Sequence, residues 1–270
     1  IDEEILSDTR IYPRQPLKKD NSDNVFEFTI DTDFYSSDQR FPENIVEIGT
    51  PAVMRDLRVV TVTVNPFQYD PQNNSVRIIK NVEINIIYKG RNGINQKETI
   101  RSKSRSFNSF YDSVVLNNDT LASERDGDFQ HPCILYICDD NNSVETYLQY
   151  LVDWKHEKGF DVVVANTSET GSSRTQIKNY IQDAYDSWEN PPEYVCFVGD
   201  TGDIPTWTES WSGYGGEGDH PYGQLEGNDI LADVHLGRIS YNTITVLQTI
   251  INKTIKYEKN PCEGDDGWYE

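Results

Sequence analysis

Apolar positions recur with a period near two through the first ninety residues and with a helical period after residue 131. The two rhythms predict two architectures. In the first stretch, Val25–Ile30, Leu57–Val64, Val76–Ile79 and Val82–Tyr88 are rich in β-branched and aromatic residues, several alternating with polar ones. Turn-forming runs separate them: Asn21-Ser22-Asp23-Asn24, Asn65-Pro66 and Asp70-Pro71-Gln72-Asn73-Asn74. Short strands so spaced predict a β-rich domain over residues 1–90, an antiparallel sandwich or jelly roll.

From Pro132 the pattern becomes strand–helix alternation. Cys133–Cys138 is a continuous apolar run, as a strand buried on both faces requires. A helix follows, opened by Asn142 with Glu145 three residues on, striped by Val144, Leu148 and Leu151 and closed by Gly159. Phe160–Ala165 reads as the next strand. A second helix begins near Ser173 and carries Ile177, Tyr180, Ile181, Ala184, Tyr185 and Trp188 on its apolar face. Tyr194–Val198 is a third strand, ending at Gly199-Asp200. A long Gly/Trp/Tyr-rich stretch then leads to a strand at Val234-His235-Leu236. The last helix spans Thr243 to Tyr257, with Ile244, Leu247, Ile251 and Ile255 on one stripe. The order predicts an α/β subdomain over residues 131–270, a parallel sheet with helices on its faces. Residues 91–130 carry Arg91, Lys97, Arg101, Lys103, Arg105 and Arg125 among Ser, Asn and Asp, with little apolar period. They read as a linker offering basic sites to a processing protease, or as a surface excursion of the first domain.

Composition narrows the function. A length of 270 residues, 36% of them hydrophobic, suits two folded domains, and the formal charge of −21 repels phosphate backbones and excludes nucleic-acid binding by counterion release. No apolar run reaches the ~18–20 residues of a membrane span. Four Cys are too few for a disulfide scaffold, and Ile1 opens the sequence without a signal-peptide pattern, as a mature or trimmed chain would. The charge is uneven: no Lys or Arg lies between Lys178 and Arg238, while Asp200, Asp203, Glu209, Glu217, Asp219, Glu226, Asp229 and Asp233 all do. One reading is a solvated acidic loop. The other is a hard cation, calcium first, held by Asp200, Asp229 and Asp233 with backbone carbonyls. No Cys–His pair stands out as nucleophile and base: Cys133, Cys138 and Cys196 sit within or at the ends of apolar strands and Cys262 in an acidic tail. There is no P-loop, GxGxxG after a strand, HExxH or CxxC.

The stretches VDWKHEKGF, YVCFVGDTGDIPTW, YGQLEGNDILADVHLGRIS and TIINKTIKYEKNP resemble the amino-terminal part of the gingipain-family peptidase domain. RDLRVVTVTV, NPFQYDPQ and VRIIKNVEINIIY resemble that family's propeptide. The resemblance implies a secreted or cell-surface bacterial cysteine endopeptidase with a caspase-like fold, made as a zymogen that acts on protein or peptide substrates. It implies a calcium site at Asp200, Asp229 and Asp233 with backbone oxygens at Glu226 and Leu231, and processing near Arg125. The family's catalytic His precedes a Gly, and its nucleophilic Cys follows a later strand; neither His-Gly nor that strand is present here. The chain therefore reads as a prodomain plus the first catalytic subdomain, partnered by a carboxy-terminal catalytic subdomain that carries the dyad. The alternative is a non-enzymatic, calcium-stabilised surface or adhesion module, a pseudopeptidase.

Overall fold

The structure is a computed structural model that describes residues 2–15, 27–87, 93–97, 102–118, 129–211 and 214–260. The chain divides into two compact units, Ile1–Pro51 with Val60–Gly93, and Ala52–Val59 with Ile94–Glu270.

The first unit is antiparallel, as its alternating pattern predicts. Strand β1 (Asp2–Leu6) pairs with β7 (Ser75–Asn81), which pairs in turn with β6 (Phe67–Asp70); β2 (Val46–Ile48) pairs with β5 (Val62–Val64). The β6–β7 turn is held by Asp70, whose carboxylate accepts from the Asn73 backbone N–H and side chain. Those bonds hold its carboxyl below the usual range. A single turn, α1 (Thr32–Tyr35), is capped by Asp31. Residues 27–30 and 82–87 are not strands, and Val25 and Phe26 lie outside the described residues. Leu57–Val64, read as one strand, is two: β4 (Leu57–Val59) and β5, broken at Val60-Thr61.

In the second unit, strand β3 (Ala52–Met54) and β4 form a hairpin with Arg55-Asp56 at its tip. Helix α2 (Arg105–Val114) turns Phe107 and Tyr111 inward against Leu57. It lies within the segment whose sequence suggests a linker, because two aromatic residues one helical turn apart make too short a stripe to register as a period. The centre of the unit is a four-stranded parallel sheet in the order β13 (His235–Ile239), β10 (Tyr194–Val198), β8 (Cys133–Cys138), β9 (Asp161–Asn166). Register runs Tyr194 to His235 and to Ile134, and Val198 to Ile239 and to Cys138.

Both sheet faces are covered, which is why β8 reads as unbroken apolar sequence. On one face Leu135, Ile137, Val195 and Phe197 pack on Ile177, Ile181, Ala184 and Tyr185 of helix α5 (Arg174–Ser187). On the other, Ile134, Tyr136 and Cys138 pack on Val144, Leu148 and Leu151 of α3 (Asn142–Glu157) and on Leu247 and Ile251 of α6 (Ile244–Lys259). Each such side chain contributes about 1.5–3 kcal/mol by burial. Ser173 and Gln176 form the capping box of α5. The box expected at Asn142 and Glu145 is absent. Asn141 caps α3 and the Glu145 carboxylate accepts from Asn166 instead. Gly159 adopts φ +86 and ends α3. A short helix α4 (Thr167–Thr170) precedes α5, and the Gly/Trp/Tyr-rich stretch contains an antiparallel pair, β11 (Trp207–Trp211) with β12 (Tyr214–Gly218). No described helix is long and apolar enough to cross a membrane.

Candidate functional site

The densest polar cluster lies at the N-terminal edge of the parallel sheet, within the second unit, and is built around a buried arginine. Arg55 is wholly inaccessible and stands at the β3–β4 turn with φ +52, a left-handed conformation that costs a non-glycine residue about 1–2 kcal/mol. Its backbone is fixed on both sides. The Arg55 N–H donates to Asp233 Oδ1 at 2.6 Å, and its carbonyl accepts from Lys97 Nζ at 2.8 Å and from the Tyr185 hydroxyl at 3.4 Å. The guanidinium donates to the carbonyls of Pro192 (2.9 Å), Asp233 (3.0 Å) and Pro191 (3.5 Å) and to Gln130 Oε1 (2.9 Å). The planar fork suits such divergent acceptors, and the Phe107 and Tyr185 rings lie 5.4 and 5.5 Å from its centre.

Three carboxylates of the loop before β13 face this hairpin and the segment around Lys97. Asp233, also wholly buried, accepts from the N–H groups of Leu225 and Glu226 besides that of Arg55. Burial pushes its carboxyl up to about 6, against the pull of those three donors. Asp229 accepts from the Val53 N–H at 2.8 Å, Asn95 Nδ2 at 3.1 Å and the Leu231 N–H at 2.9 Å. Gly227, at φ +79, makes room for it, since a Cβ there would stand 2.5 Å from Asp229 Oδ2. Glu226 pairs with Lys97 Nζ at 2.6 Å and accepts from the Tyr185 hydroxyl at 3.0 Å. Beside this loop, the Lys178 ammonium donates to the carbonyls of Pro221 and Gln224, and burial pushes its pKa down to about 8.

The five positions predicted to hold calcium are thus not brought together. Asp200 follows β10 while Asp233 precedes β13, and the two strands are parallel. The carboxylates flank opposite ends of the sheet, at least the length of five paired residues apart, about 16 Å. Asp200 is exposed and accepts from the Ser240 hydroxyl at 3.3 Å. Leu231 meets Asp229 through its N–H, and both Asp229 and Asp233 turn their oxygens toward N–H donors. A calcium shell needs those lone pairs aimed at one point, so this donor set does not fit the predicted shell. Among the described residues no three His, Cys, Asp or Glu side chains are grouped to hold a metal ion. The acidic run is locally without cations but not spatially so. Lys97 reaches Glu226, and Arg238 pairs bidentately with Asp219 at 2.7 and 2.8 Å. Arg125 lies outside the described residues, as does Cys262.

Cys133, Cys138 and Cys196 are unpaired thiols, each pushed up to about 12 by burial. His235 stacks between Phe107 (4.4 Å) and Tyr194 (5.1 Å), and burial and the Arg55 charge hold its pKa below the usual value. Arg55, Lys97, Asn95 and Gln130 were not legible as members of this site. Their signal would have been the Arg-Asp tip of a hairpin, but their partners lie up to 178 residues away.

Residues 128–270 match the family model of peptidase family C25, and residues 2–117 match that of the C25 propeptide. The chain is 28% identical to gingipain R2 of Porphyromonas gingivalis over 237 residues, which cover 87% of the chain and 31% of the relative. It is 24% identical to Lys-gingipain of the same organism over 264 residues, 93% of the chain and 15% of the relative. The chain therefore spans about a third or less of the curated relatives it matches. Among solved structures, the complex of Porphyromonas gingivalis RgpB pro- and mature domains overlays with a TM-score of 0.41 at 30% identity. The overlay covers 47% of this chain and 29% of that one. The crystal structure of the Arg-specific cysteine proteinase gingipain R gives 0.41 at 29% identity, covering 47% and 28%.

Proposed function

The chain belongs to peptidase family C25, its first part matching the family's propeptide and its second the start of the peptidase, and on that premise we propose that it is the amino-terminal portion of a secreted cysteine endopeptidase precursor. The observation that carries this reading is the order of the two matches, 2–117 and then 128–270. The segment between them contains Arg125, the basic residue proposed for processing.

In the whole enzyme a thiolate attacks the scissile carbonyl, an imidazolium protonates the leaving amine, and backbone N–H groups hold the oxyanion. A nucleophile outside these residues is the reading that the absence of a His-Gly pair supports, and the three described thiols, raised by burial, do not compete with it. The residues present supply the sheet on which that machinery is mounted. Parallel strands β13-β10-β8-β9 with helices on both faces support a caspase-like arrangement, and the antiparallel first unit supports a sandwich-like prodomain. Function in such sheets gathers beyond the carboxyl ends of the strands, the end that carries Asp139 and Asp200.

The test is the coding sequence downstream of residue 270 together with the secreted product. A downstream His-Gly, a later Cys and an N-terminus generated within 118–127 are expected. A reading frame without that His and Cys would overturn the peptidase assignment. Intact secreted protein would overturn the processing site.

A further inference from the structure

Glu226, Asp229 and Asp233 all belong to the part of the chain that matches the peptidase, and each is engaged by the part that matches the propeptide. Asp233 takes the Arg55 N–H, Asp229 takes the Val53 N–H and Asn95 Nδ2, and Glu226 takes the Lys97 ammonium. The same loop returns a donor, the Asn228 N–H, to Asn95 Oδ1 at 3.0 Å. On the far side of the hairpin, the Tyr111 hydroxyl shares its one proton between the Met54 carbonyl and the Asp56 carboxylate, so β3–β4 is held between α2 and the acidic loop. The contact is specific in geometry. It fixes a strained left-handed residue through both of its backbone groups and closes over a buried guanidinium on four acceptors.

We infer that Glu226, Asp229 and Asp233 form the receptor by which the peptidase part holds its own propeptide, with the Lys97 ammonium supplying a positive charge that the loop itself lacks. The inference rests on the family reading of the two segments. The carboxylates are a poor calcium shell here because their lone pairs are already directed at donors of the propeptide part and of the peptidase part itself. One ammonium, two backbone N–H groups and one side-chain amide of the 52–97 region meet three carboxylates, and the peptidase part alone would leave Asp233 buried and short of one donor. Arg55 is the anchor. Its loss leaves the carbonyls of Pro192 and Asp233 facing an empty slot, while Pro191 keeps its donor from Gln130. Lys97 is the partly accessible latch.

The experiment uses the whole 270-residue chain with a specific protease site placed within 119–127. It is cut in the folded state and followed by native size-exclusion chromatography and by the rate at which the two pieces separate on dilution. Wild-type pieces should stay together. Asp233→Asn should speed separation about thirtyfold or more, the range for removing one partner of a buried charged contact. Lys97→Gln, at a half-buried position, should speed it several-fold, less so in high salt. Asp200→Asn, at the other end of the sheet, should leave the rate unchanged. Millimolar calcium should speed separation of the cut wild type, because it can coordinate these carboxylates only after the propeptide donors leave. Wild-type pieces that fall apart at once would overturn the propeptide association itself. Pieces that separate at one rate in all variants would overturn only this receptor. Calcium that raises the melting temperature while the pieces remain together would show that ion and propeptide bind side by side, and would also overturn it.

Discussion

The two ends of the parallel sheet carry acids in opposite conditions. At the N-terminal edge Asp233 is buried, yet every oxygen has a donor, and the nearest buried cation, Arg55, is spent on carbonyls. At the C-terminal edge Asp200 and Asp203 are exposed. Asp139 accepts from the Tyr241 hydroxyl at 3.3 Å, and its carboxyl is raised by burial and by the charge of Asp203. The first end is an assembled joint whose loss would expose unsatisfied groups. The second is an open rim where charge is tolerated because water screens it. Buried and satisfied reads as attachment, exposed and water-screened as surface kept available.

The sharpest way to break this contrast is Arg55→Ala. Removing the guanidinium orphans the carbonyls of Pro192 and Asp233 and should lower the unfolding free energy by about 3–5 kcal/mol in urea denaturation. A loss under ~1 kcal/mol would show that the N-terminal joint is not the tighter end. Next in size is Tyr111→Phe, which leaves the Met54 carbonyl without that hydroxyl. It should cost about 1–2 kcal/mol by the same measurement. The smallest effect has the opposite sign. Because the folded-state pKa of Asp139 lies above its unfolded value, its ionised form weakens folding at neutral pH, and that penalty fades as pH falls through the folded pKa. Asp139→Asn should therefore stabilise at pH 7 by a few tenths of a kcal/mol, with the gain shrinking toward pH 4. A gain that is constant with pH would remove electrostatics as its cause.

Much of the second unit is legible in sequence because its signals are local. The apolar run 133–138, the stripe Ile177, Ile181, Ala184 and the cap at Ser173 each state their structure within one turn or strand. The exposed strand Asp2–Leu6 is not legible, since three of its five residues are acidic and its partner β7 is seventy residues on. Nor is β11–β12, whose Gly215, Gly216 and Gly218 read as loop. Charge balance at the site is illegible for a related reason. Residues 200–233 lack cations in sequence, but charge balance is settled in space, where Lys97 and Arg238 supply what the local chain omits. Placing Asp200 beside Asp233 also overlooked that parallel strands put the end of one far from the start of the next.

The β3–β4 hairpin has a consequence for biosynthesis. Its tip finds its acceptor 178 residues later in the chain, and Val53 finds Asp229 176 residues later. At about 5–20 residues per second of elongation, Arg55 waits on the order of 10–35 s before Asp233 has been polymerised. Through that interval the left-handed arginine lacks the acceptor of its N–H and two of its carbonyl partners, so the tip can lock fully only when the later sheet arrives.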